Sequence, residues 1–478
     1  MSARFNTVFL CLVATYATLF SITATSKSIF EFGDWDHEMG FEWRTFKEKG
    51  FQDQSKNSLS IYYQPELYWD NSDSDSFILK PFIRWDQTDS NRGHFDLRDA
   101  YWTHVGSWWE TKIGVTSVYW GKTEFTQLVN IVNQKDLIEG VRGSPGLGQP
   151  MVNATFLFDE GTLDIFLLAG FREATFAGEN GRLRTPLLVD GGKPQFDDQA
   201  VRGLDFAIRW EQSIGDYWEI AINQYSGLSR DPTLVFNFDI LGDPAFLPYY
   251  EQIDQTGFEA EFIYEGVIWK FEGVAVSGQS GGAWKAFSTG LEYTFGDVFD
   301  SGQDITAIFE YVNDSRASIA PHFLERDYTI GFRWMANDEL DTTGLVGMLY
   351  DPDTHEKLVS MEASRRLGPD WRLSLSATVV LEKGEPIIDD NITDAFNSLL
   401  ANGPLNLDLS DLSDEAKSAF ADLILNPNDL IQLFTGGSEA QARALETLQI
   451  LQIIASGDTK LGVLDNDDFV QLELIYYF

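Results

Sequence analysis

Apolar and polar residues alternate along most of the chain, which is the pattern of β-strands that have one apolar face. The last segment has apolar side chains at every second position: Val470, Leu472, Leu474, Tyr476 and Phe478. Comparable runs predict about eighteen strands. They begin near residues 38, 58, 76, 94, 108, 151, 162, 200, 216, 255, 267, 284, 303, 326, 342, 356, 370 and 467. An even number of such strands is typical of a transmembrane β-barrel.

The connections between the expected strands alternate in length. Short turns that contain Gly, Asp, Asn or Pro lie at 106–107, 159–161, 214–215, 265–266, 338–341 and 367–369. Long connections occupy 119–150, 173–199, 227–254, 314–325 and 383–466. Outer-membrane barrels have short periplasmic turns and long outer loops, and a periplasmic N-terminus would bring all five long connections to the outer side. The sequence therefore predicts an all-β fold, a transmembrane antiparallel β-barrel of about 18 strands.

The chain divides into four expected segments: a signal peptide over 1–25, barrel strands 1–17 over 26–384, an acidic helical extracellular insertion over 385–466, and a final strand over 467–478. The first segment has Arg4, an apolar stretch from Val8 to Ile22 and small residues near Ala24. This order is typical of a cleaved secretory signal. The single cysteine, Cys11, falls within it, so the exported chain would have none, as suits an oxidising compartment.

The insertion before the last strand interrupts the alternation and carries many more acidic than basic residues. Short helices are expected over residues 392–400, 413–425 and 438–455, the last with an apolar stripe. That stripe consists of Leu445, Leu448, Leu451 and Ile454. It can bury itself within the insertion, line an apolar site for greasy ligands, or contact the barrel mouth or a partner protein. The sequence leaves these alternatives open.

The terminal residue Phe478 follows Leu472, Leu474 and Tyr476 at alternate positions. This spacing resembles the assembly signal of outer-membrane barrels and implies recognition by the barrel-assembly machinery. The exterior of the barrel would contact outer-membrane lipid and lipopolysaccharide. The expected location is the cell outer membrane of a Gram-negative organism. A periplasmic partner is a further option that the sequence leaves open.

The chain is strongly acidic, with 34 basic and 74 acidic residues and a formal net charge of −40 among 478 residues. Nucleic acid is therefore excluded as a partner. The charge serves either solubility in a salty medium or an acidic mouth that favours cations or binds Ca²⁺. Aromatic residues make up 14% of the chain, which suits the aromatic girdles of a membrane barrel.

One long loop carries a distinctive motif. It has the order Trp120-Gly121-Lys122-Thr123-Glu124-Phe125, then Asn130, Asn133 and Asp136, then Arg142, Pro145-Gly146 and Pro150-Met151. The arrangement resembles a family of bacterial outer-membrane proteins that are described as porin-like and have no settled activity. The resemblance runs along most of the expected mature chain, although Ser144 separates Gly143 from the Pro-Gly pair. It implies an outer-membrane barrel and leaves the solute undefined.

Polar and charged residues make this loop and the barrel wall the candidates for a constriction. In the loop they are Lys122, Glu124, Asn130, Asn133, Lys135, Asp136 and Arg142. On the wall, alternation directs toward the lumen Arg84, Arg98, Lys112, Arg209 and Arg333. A structureless loop of this length is usually functional or disordered. It either folds inward as a constriction or packs as a lid on the outer rim, and the wall charges either pair structurally or line a hydrated lumen.

No catalytic or metal-binding set is expected. The five histidines, His37, His94, His104, His322 and His355, lack the spacing of metal ligands. No G-x-S-x-G or comparable nucleophile motif occurs, and no cofactor is implied. The expected function is a porin-like channel for small solutes. One alternative is a partner-bound component that moves hydrophobic molecules or lipids, and another is a structural or adhesive surface barrel.

Overall fold

The computed structural model describes residues 33–50, 52–71, 74–139, 146–185, 187–198, 203–237, 245–316, 325–383, 391–404, 410, 417, 420–421, 427–455, 461–464 and 466–478. The expected signal peptide lies outside these residues. In the first half of the chain the strands are β1 (Asp34–Phe46), β2 (Asn57–Asp70), β3 (Asp75–Asp86), β4 (Phe95–Val105), β5 (Trp109–Thr116), β6 (Gln149–Phe158), β7 (Gly161–Ala169), β8 (Leu188–Val189), β9 (Gln195–Phe196), β10 (Leu204–Ile214), β11 (Trp218–Leu228), β12 (Thr233–Asn237) and β13 (Ala245–Tyr250).

The second half of the chain continues with β14 (Gln252–Tyr264), β15 (Val267–Ser277), β16 (Trp284–Phe295), β17 (Asp304–Asp314), β18 (Tyr328–Met335), β19 (Thr343–Tyr350), β20 (Lys357–Arg366), β21 (Trp371–Glu382) and β22 (Phe469–Tyr477). Eighteen of the strands form one sheet, and the short strands β8, β9, β12 and β13 form a second. The predicted number of barrel strands is thus confirmed, and each begins within a few residues of its expected start.

The large sheet closes on itself. Each barrel strand pairs antiparallel with the next along the chain, and β22 pairs with β1, for example through Leu474 and Phe41. The last residue also takes part, since Phe478 and His37 exchange two backbone hydrogen bonds of 3.1 Å. Closure leaves no barrel strand with an unpaired edge, which is the condition for a sheet to span lipid. The fold is therefore a transmembrane antiparallel β-barrel, as predicted.

Alternate side chains sort to the two faces of the sheet. Outward-facing apolar residues are exposed, as Trp43 (44%) and Trp85 (59%) illustrate, whereas their neighbours Glu42 and Arg84 are buried inside the barrel. Aromatic rings stack on the exterior near the chain termini, where Tyr476 lies 5.0 Å from Phe478 between ring centroids. This apolar outer face with aromatic residues is the surface that meets lipid.

The two ends of the barrel differ. At one end, here called the turn end, the connections are short, such as 159–160 and 265–266. At the other, called the loop end, lie the long connections, including 117–148, 170–203 and 229–251. The strands β8, β9, β12 and β13 belong to the last two of these, and sequence alternation did not predict them because they are too short to show a period.

The insertion lies between β21 and β22. Its described residues include the helices α1 (Asn391–Asn402), α2 (Pro427–Thr435) and α3 (Gly437–Ala455). The helices α1 and α3 were expected, while α2 was not. The expected helix over 413–425 lies mostly outside the described residues. A small apolar core joins the helices through Phe396, Leu433 and Leu448. Among the described residues, no helix has the length and apolar character to cross a membrane.

Candidate functional site

The connection between β5 and β6, residues 117–148, folds into the barrel, and we call it the inward loop. Four of its buried apolar side chains belong to one cluster: Trp120, Val129, Ile131 and Val132. They pack on inward-facing residues of β6, β7, β10, β11, β14, β15 and β16, namely Met151, Phe166, Leu168, Ala207, Tyr225, Ile253, Val274, Val276 and Ala286. The inward loop therefore fills the part of the lumen beside these strands.

One carboxylate on the barrel wall holds the start of the inward loop. Glu272 of β15 is fully buried, and its Oε1 accepts hydrogen bonds from the backbone N–H groups of Lys122 (2.6 Å) and Thr123 (2.8 Å). Its Oε2 accepts from the N–H groups of Leu128 (2.8 Å) and Val129 (3.3 Å). Hydrogen bonds to a charged acceptor contribute about 1.5–3 kcal/mol each. Glu272 thus provides the hydrogen-bond acceptors that water would otherwise have to provide to these four loop N–H groups.

A second wall carboxylate holds the part of the loop that reaches farthest across the lumen. Glu310 of β17 accepts hydrogen bonds from the N–H groups of Glu124 and Phe125, the latter at 2.9 Å. The side chain of Glu124 in turn forms an ion pair with Arg333 of β18, which also contacts Glu292 at 3.4 Å. The tip of the inward loop is therefore bound to the wall opposite its own strands.

The ring of Phe125 fits against two glycines on that opposite wall. Gly331 of β18 and Gly347 of β19 are direct partners in the sheet, and both face inward. A β-carbon at Gly331 would lie 2.7 Å from Phe125 Cζ, and one at Gly347 would lie 2.8 Å from Phe125 Cε1. Because real side chains essentially never approach so closely, this contact requires glycine at both positions.

Lys122 lies among carboxylates of three neighbouring strands. Its Nζ contacts Glu219 of β11, and lies 3.8 Å from Glu211 of β10 and 3.9 Å from Glu261 of β14. The expected position of Lys122 inside the lumen agrees with this geometry. Its charge is offset by more than one acid, so this part of the wall is acidic overall.

Two expected constriction residues serve the loop's own backbone. Asn133 is buried, accepts a hydrogen bond from the N–H of Val118 (2.7 Å) and donates to the carbonyls of Thr116 (3.0 Å) and Leu147 (2.7 Å). Asn130 accepts a longer bond of 3.4 Å from a backbone N–H of the same loop. These asparagines shape the inward loop and are occupied by its backbone.

Lys135 points toward another connection. It forms an ion pair of 2.7 Å with Asp231, which lies between β11 and β12. This contact joins two loops at the loop end of the barrel. Arg142, also expected at the constriction, lies outside the described residues.

The later part of the inward loop is fixed by arginines of the barrel wall. Asp136 is fully buried, and its carboxylate accepts hydrogen bonds from Arg98 (2.6 Å) and from the hydroxyl of Thr175 (2.7 Å). Glu139 binds Arg84 at 2.7 Å. Both wall arginines were expected to face inward, and in the structure both are committed to the loop.

Arg92, which precedes β4, connects this region to β1. Its guanidinium binds Glu42 at 2.7 Å and Asp86 at 3.0 Å, and its Nε donates to the carbonyl of Ile138 at 3.1 Å. Burial alone would lower the pKa of Arg92, but the charges of Glu42, Glu139 and Asp86 outweigh it and raise this pKa. The charges here are paired and buried, so they stabilise the loop end.

One group of three possible metal ligands occurs among the described residues, consisting of His94, Asp136 and Glu139. Their ligand atoms lie within 4.8 Å of one another. The two carboxylates already bind Arg98 and Arg84, whose positive charges oppose a cation at the same place. The group therefore belongs to the ion-pair network that holds the inward loop.

The remaining expected wall residues also form ion pairs. Arg209 of β10 binds Glu259 at 3.0 Å and contacts Glu211. Lys112 of β5 lies nearer the turn end, where its Nζ is 3.1 Å from Glu110. The positive charges of Arg209 and Lys112 are therefore partly neutralised by these carboxylates.

The inward loop leaves an open part of the lumen beside β18 to β22. A cavity of about 460 Å³ lies there. Its polar lining consists of Arg333, Thr343, Glu362, Ser364, Ser374, Ser376, Gln471 and Glu473. Hydroxyl, amide and charged groups therefore face this space, which suits a water-filled passage.

A buried acid lies at the loop end, where β18 begins. Asp327 is almost fully buried. Burial raises the pKa of Asp327 to about 7, and the neighbouring charges of Asp351 and Glu325 add to this effect. The carboxyl group therefore titrates near neutral pH.

These observations define a class, the closed transmembrane β-barrel whose lumen is narrowed by an internal loop. Solved structures with a general similarity include Wzi of Escherichia coli, which is described as a carbohydrate-binding outer-membrane β-barrel (10% identity, TM-score 0.44, 73% of this chain and 80% of that chain). Others are OccD3 of Pseudomonas aeruginosa (11%, 0.41, 72% and 85%) and OmpT of Vibrio cholerae (10%, 0.38, 93% and 98%). At such scores the similarity assigns no solute.

No family model and no curated protein matches the sequence. Membership of the porin-like family that the loop motif resembles therefore stays a prediction.

Sequence reasoning missed the residues that hold the loop. Glu272 and Glu310 could be placed inside the barrel by alternation, but nothing in their neighbourhood indicates that they bind a backbone more than a hundred positions away. Phe125 was visible in the motif, whereas Gly331 and Gly347 looked like ordinary strand glycines. Cavity residues such as Ser376 and Gln471 carried no signal beyond their place in the strand alternation.

Proposed function

We propose that this chain is a porin-like channel in the outer membrane of a Gram-negative cell and that it passes small polar solutes. The observation that carries the proposal is the cavity of about 460 Å³ with a polar lining, which remains open beside the inward loop. An apolar exterior and a polar interior are what a barrel channel requires. The barrel is also large enough to enclose water unless its loops fill it completely.

The proposed path runs between the tip of the inward loop and the wall formed by β20, β21 and β22. On the loop side it is bordered by the Glu124–Arg333 ion pair. On the wall side Ser376 of β21 and Gln471 of β22 are direct partners and both line the cavity. A constriction role for Lys122 and Glu124 is part of this proposal.

A pair of variants on β21 tests the path. Ser376 faces the cavity, and its neighbour Ala377 faces outward because successive residues of a strand point to opposite faces. In planar bilayers the wild type should form steady channels. S376W should reduce single-channel conductance severalfold, because the indole occupies the cavity, while A377W should leave it unchanged. Absence of channels in the wild type, or equal conductance of both variants, would contradict the proposal.

One observation favours the second candidate, a partner-bound component that moves hydrophobic molecules. Two large apolar side chains of α2 are exposed, Ile431 (59%) and Phe434 (45%). They belong to the insertion between β21 and β22 and are not part of the barrel wall. If this function is correct, the purified protein should carry lipid that the double variant I431S/F434S lacks, and the wild type should be silent in bilayers. Steady conductance without bound lipid would exclude it.

A further inference from the structure

We infer that the open part of the lumen passes small monovalent cations in preference to anions. The inference rests on the proposed channel function and names the class of solute that its lining favours. It depends on the balance of charges that face the cavity beside β18 to β22.

Two carboxylates face this cavity. Glu362 of β20 is partner to Ser376 of β21, and Glu473 of β22 is partner to Ser374 of the same strand. The two acids therefore flank β21. Two strand spacings and an offset of two residues along the strand separate their backbones by roughly 12 Å. Glu362 is exposed to the lumen, and among the described residues it forms no ion pair. Its negative charge is available to a passing ion.

The basic residue that lines the same cavity is already neutralised. Arg333 contacts both Glu124 of the inward loop and Glu292 of β16. Lys270, beside them, also binds Glu292. The cations of this wall are thus matched by carboxylates, and Glu362 and Glu473 remain as an excess of negative charge.

Two cations oppose this balance. Arg44 of β1 donates a hydrogen bond of 2.8 Å to the side-chain oxygen of Gln471 and pairs with Glu42 at 3.7 Å. Arg372 of β21 shares the inward face with Ser374 and lies nearer the turn end. It does not line the cavity. Arg366, its partner on β20, forms an ion pair of 2.9 Å with Asp341 in the adjacent turn. The positive charge of Arg372 therefore acts on the exit of the path and leaves the two acids in control of the cavity itself.

The uncharged lining supplies oxygen atoms. Hydroxyl groups of Thr343, Ser364, Ser374 and Ser376 and the amide of Gln471 face the cavity. Oxygen atoms of this kind can replace part of the hydration shell of a cation. Because hydroxyl and amide groups can also donate hydrogen bonds to an anion, the two carboxylates set the preference.

The field of the two acids reaches across the cavity. The screening length is about 10 Å at 0.1 M salt, comparable to the spacing of the two carboxylates. A cleft with low-dielectric walls also focuses the field of the charges that line it. Cations should therefore be enriched along this path and anions depleted, most clearly at low salt.

Reversal potentials in a KCl gradient across a planar bilayer test the inference. The wild type should be cation-selective, and the double variant E362Q/E473Q should lose most of this selectivity, with the potassium-to-chloride permeability ratio falling severalfold. E362D, which keeps the charge, should retain the wild-type ratio. Heat-modifiable migration on gels verifies that each variant forms a barrel.

The outcomes separate the two claims. Channels without cation preference, or a permeability ratio that the double variant leaves unchanged, would overturn the inference and leave the proposed channel intact. A wild type that forms no channels contradicts the proposed function and, with it, the basis of the inference.

Discussion

Phe125 of the inward loop packs against Gly331 on the far wall of the barrel, where a β-carbon would lie 2.7 Å from its Cζ atom. Together with Gly347, this glycine forms a notch that accepts the aromatic ring. The loop tip is thereby fixed by shape, in addition to the hydrogen bonds that Glu310 accepts. The notch acts on the ring of Phe125 and Glu310 acts on the backbone of the loop tip, so mutation can separate the two contributions to holding the loop.

The notch predicts a strong coupling between its members. G331A should displace the ring of Phe125, because the added methyl group would meet it well inside contact distance. The loop tip should move, and single-channel conductance should change. F125A should also change conductance, but G331A added to F125A should have little further effect. Residues in contact show coupling energies of about 0.5–3 kcal/mol in such double-mutant cycles.

A control lies on the same strand pair. Gly344 of β19 has no neighbour closer than 3.6 Å to its added β-carbon, so G344A should leave conductance unchanged. If the effects of F125A and G331A on conductance added in full in the double variant, the ring of Phe125 would not depend on the notch.

Glu272 predicts how firmly the loop is held. In E272Q one carboxylate oxygen becomes an N–H₂ group, which faces backbone N–H donors that it cannot satisfy. The loop should loosen, with noisier channels and faster protease cleavage within 117–139. E265Q, at an exposed turn, is the matched control and should behave as the wild type. Unchanged noise and cleavage in E272Q would contradict the role assigned to Glu272.

The buried carboxyl of Asp327 predicts a pH dependence of stability. Burial, with Asp351 and Glu325, raises the pKa of Asp327 to about 7 from its ordinary value of 3.8. Between these values the folded chain holds a proton that the unfolded chain has lost, so stability falls as pH rises. The urea midpoint should therefore decrease between about pH 5 and about pH 8.

The variant D327N should reduce this decrease, because the amide does not titrate. D353N, at an exposed position of the neighbouring loop, should leave it as in the wild type. A midpoint that is constant with pH in the wild type, or the same slope in D327N, would show that Asp327 does not control it.

Arg92 predicts a large cost for breaking the buried ion network. Its removal in R92M leaves Glu42 and Asp86 without their principal partner. Loss of one member of a buried pair costs about 3–5 kcal/mol, so the unfolding midpoint in urea should fall clearly. K49M breaks the exposed pair with Asp53 and should have little effect, since such pairs contribute about 0–1 kcal/mol. If R92M and the wild type unfolded at the same urea concentration, water would replace the guanidinium in the network.

The last residue predicts an assembly phenotype. Phe478 pairs with the backbone of His37, and their rings lie 5.0 Å apart. F478A should lower the amount of heat-modifiable barrel in cells severalfold, yet the purified variant should still refold in detergent, because the backbone pair remains. F295A, an exposed aromatic change at the same end of the barrel, should assemble normally. Refolding and cellular assembly that fail together would point to stability and not to recognition.

Much of the barrel could be predicted because lipid and water impose opposite demands on successive residues of a strand. The period of two at Leu472 and Leu474 is a local property, and so is the turn at 265–266. The strand count follows from many such local patterns, and errors at single boundaries do not alter it.

The interior could be predicted only in part. Alternation places Arg333 in the lumen, but its pairing with Glu124 depends on how a long loop crosses the barrel. Contacts between residues so distant in sequence leave no periodic trace. For the same reason Asn130 and Asn133 looked like constriction residues, although in the structure they serve the loop's own backbone.

The seam between β1 and β22 determines the order in which the protein can be completed. All nine residues of β22 pair with β1, so the sheet keeps two open edges until β22 is in place. Exposed edges recruit other strands and favour aggregation. The helices α1 to α3 lie between β21 and β22 in the chain, so they are held at both ends once the ring has closed. Placement of α1 to α3 and closure of the barrel therefore depend on the same last strand.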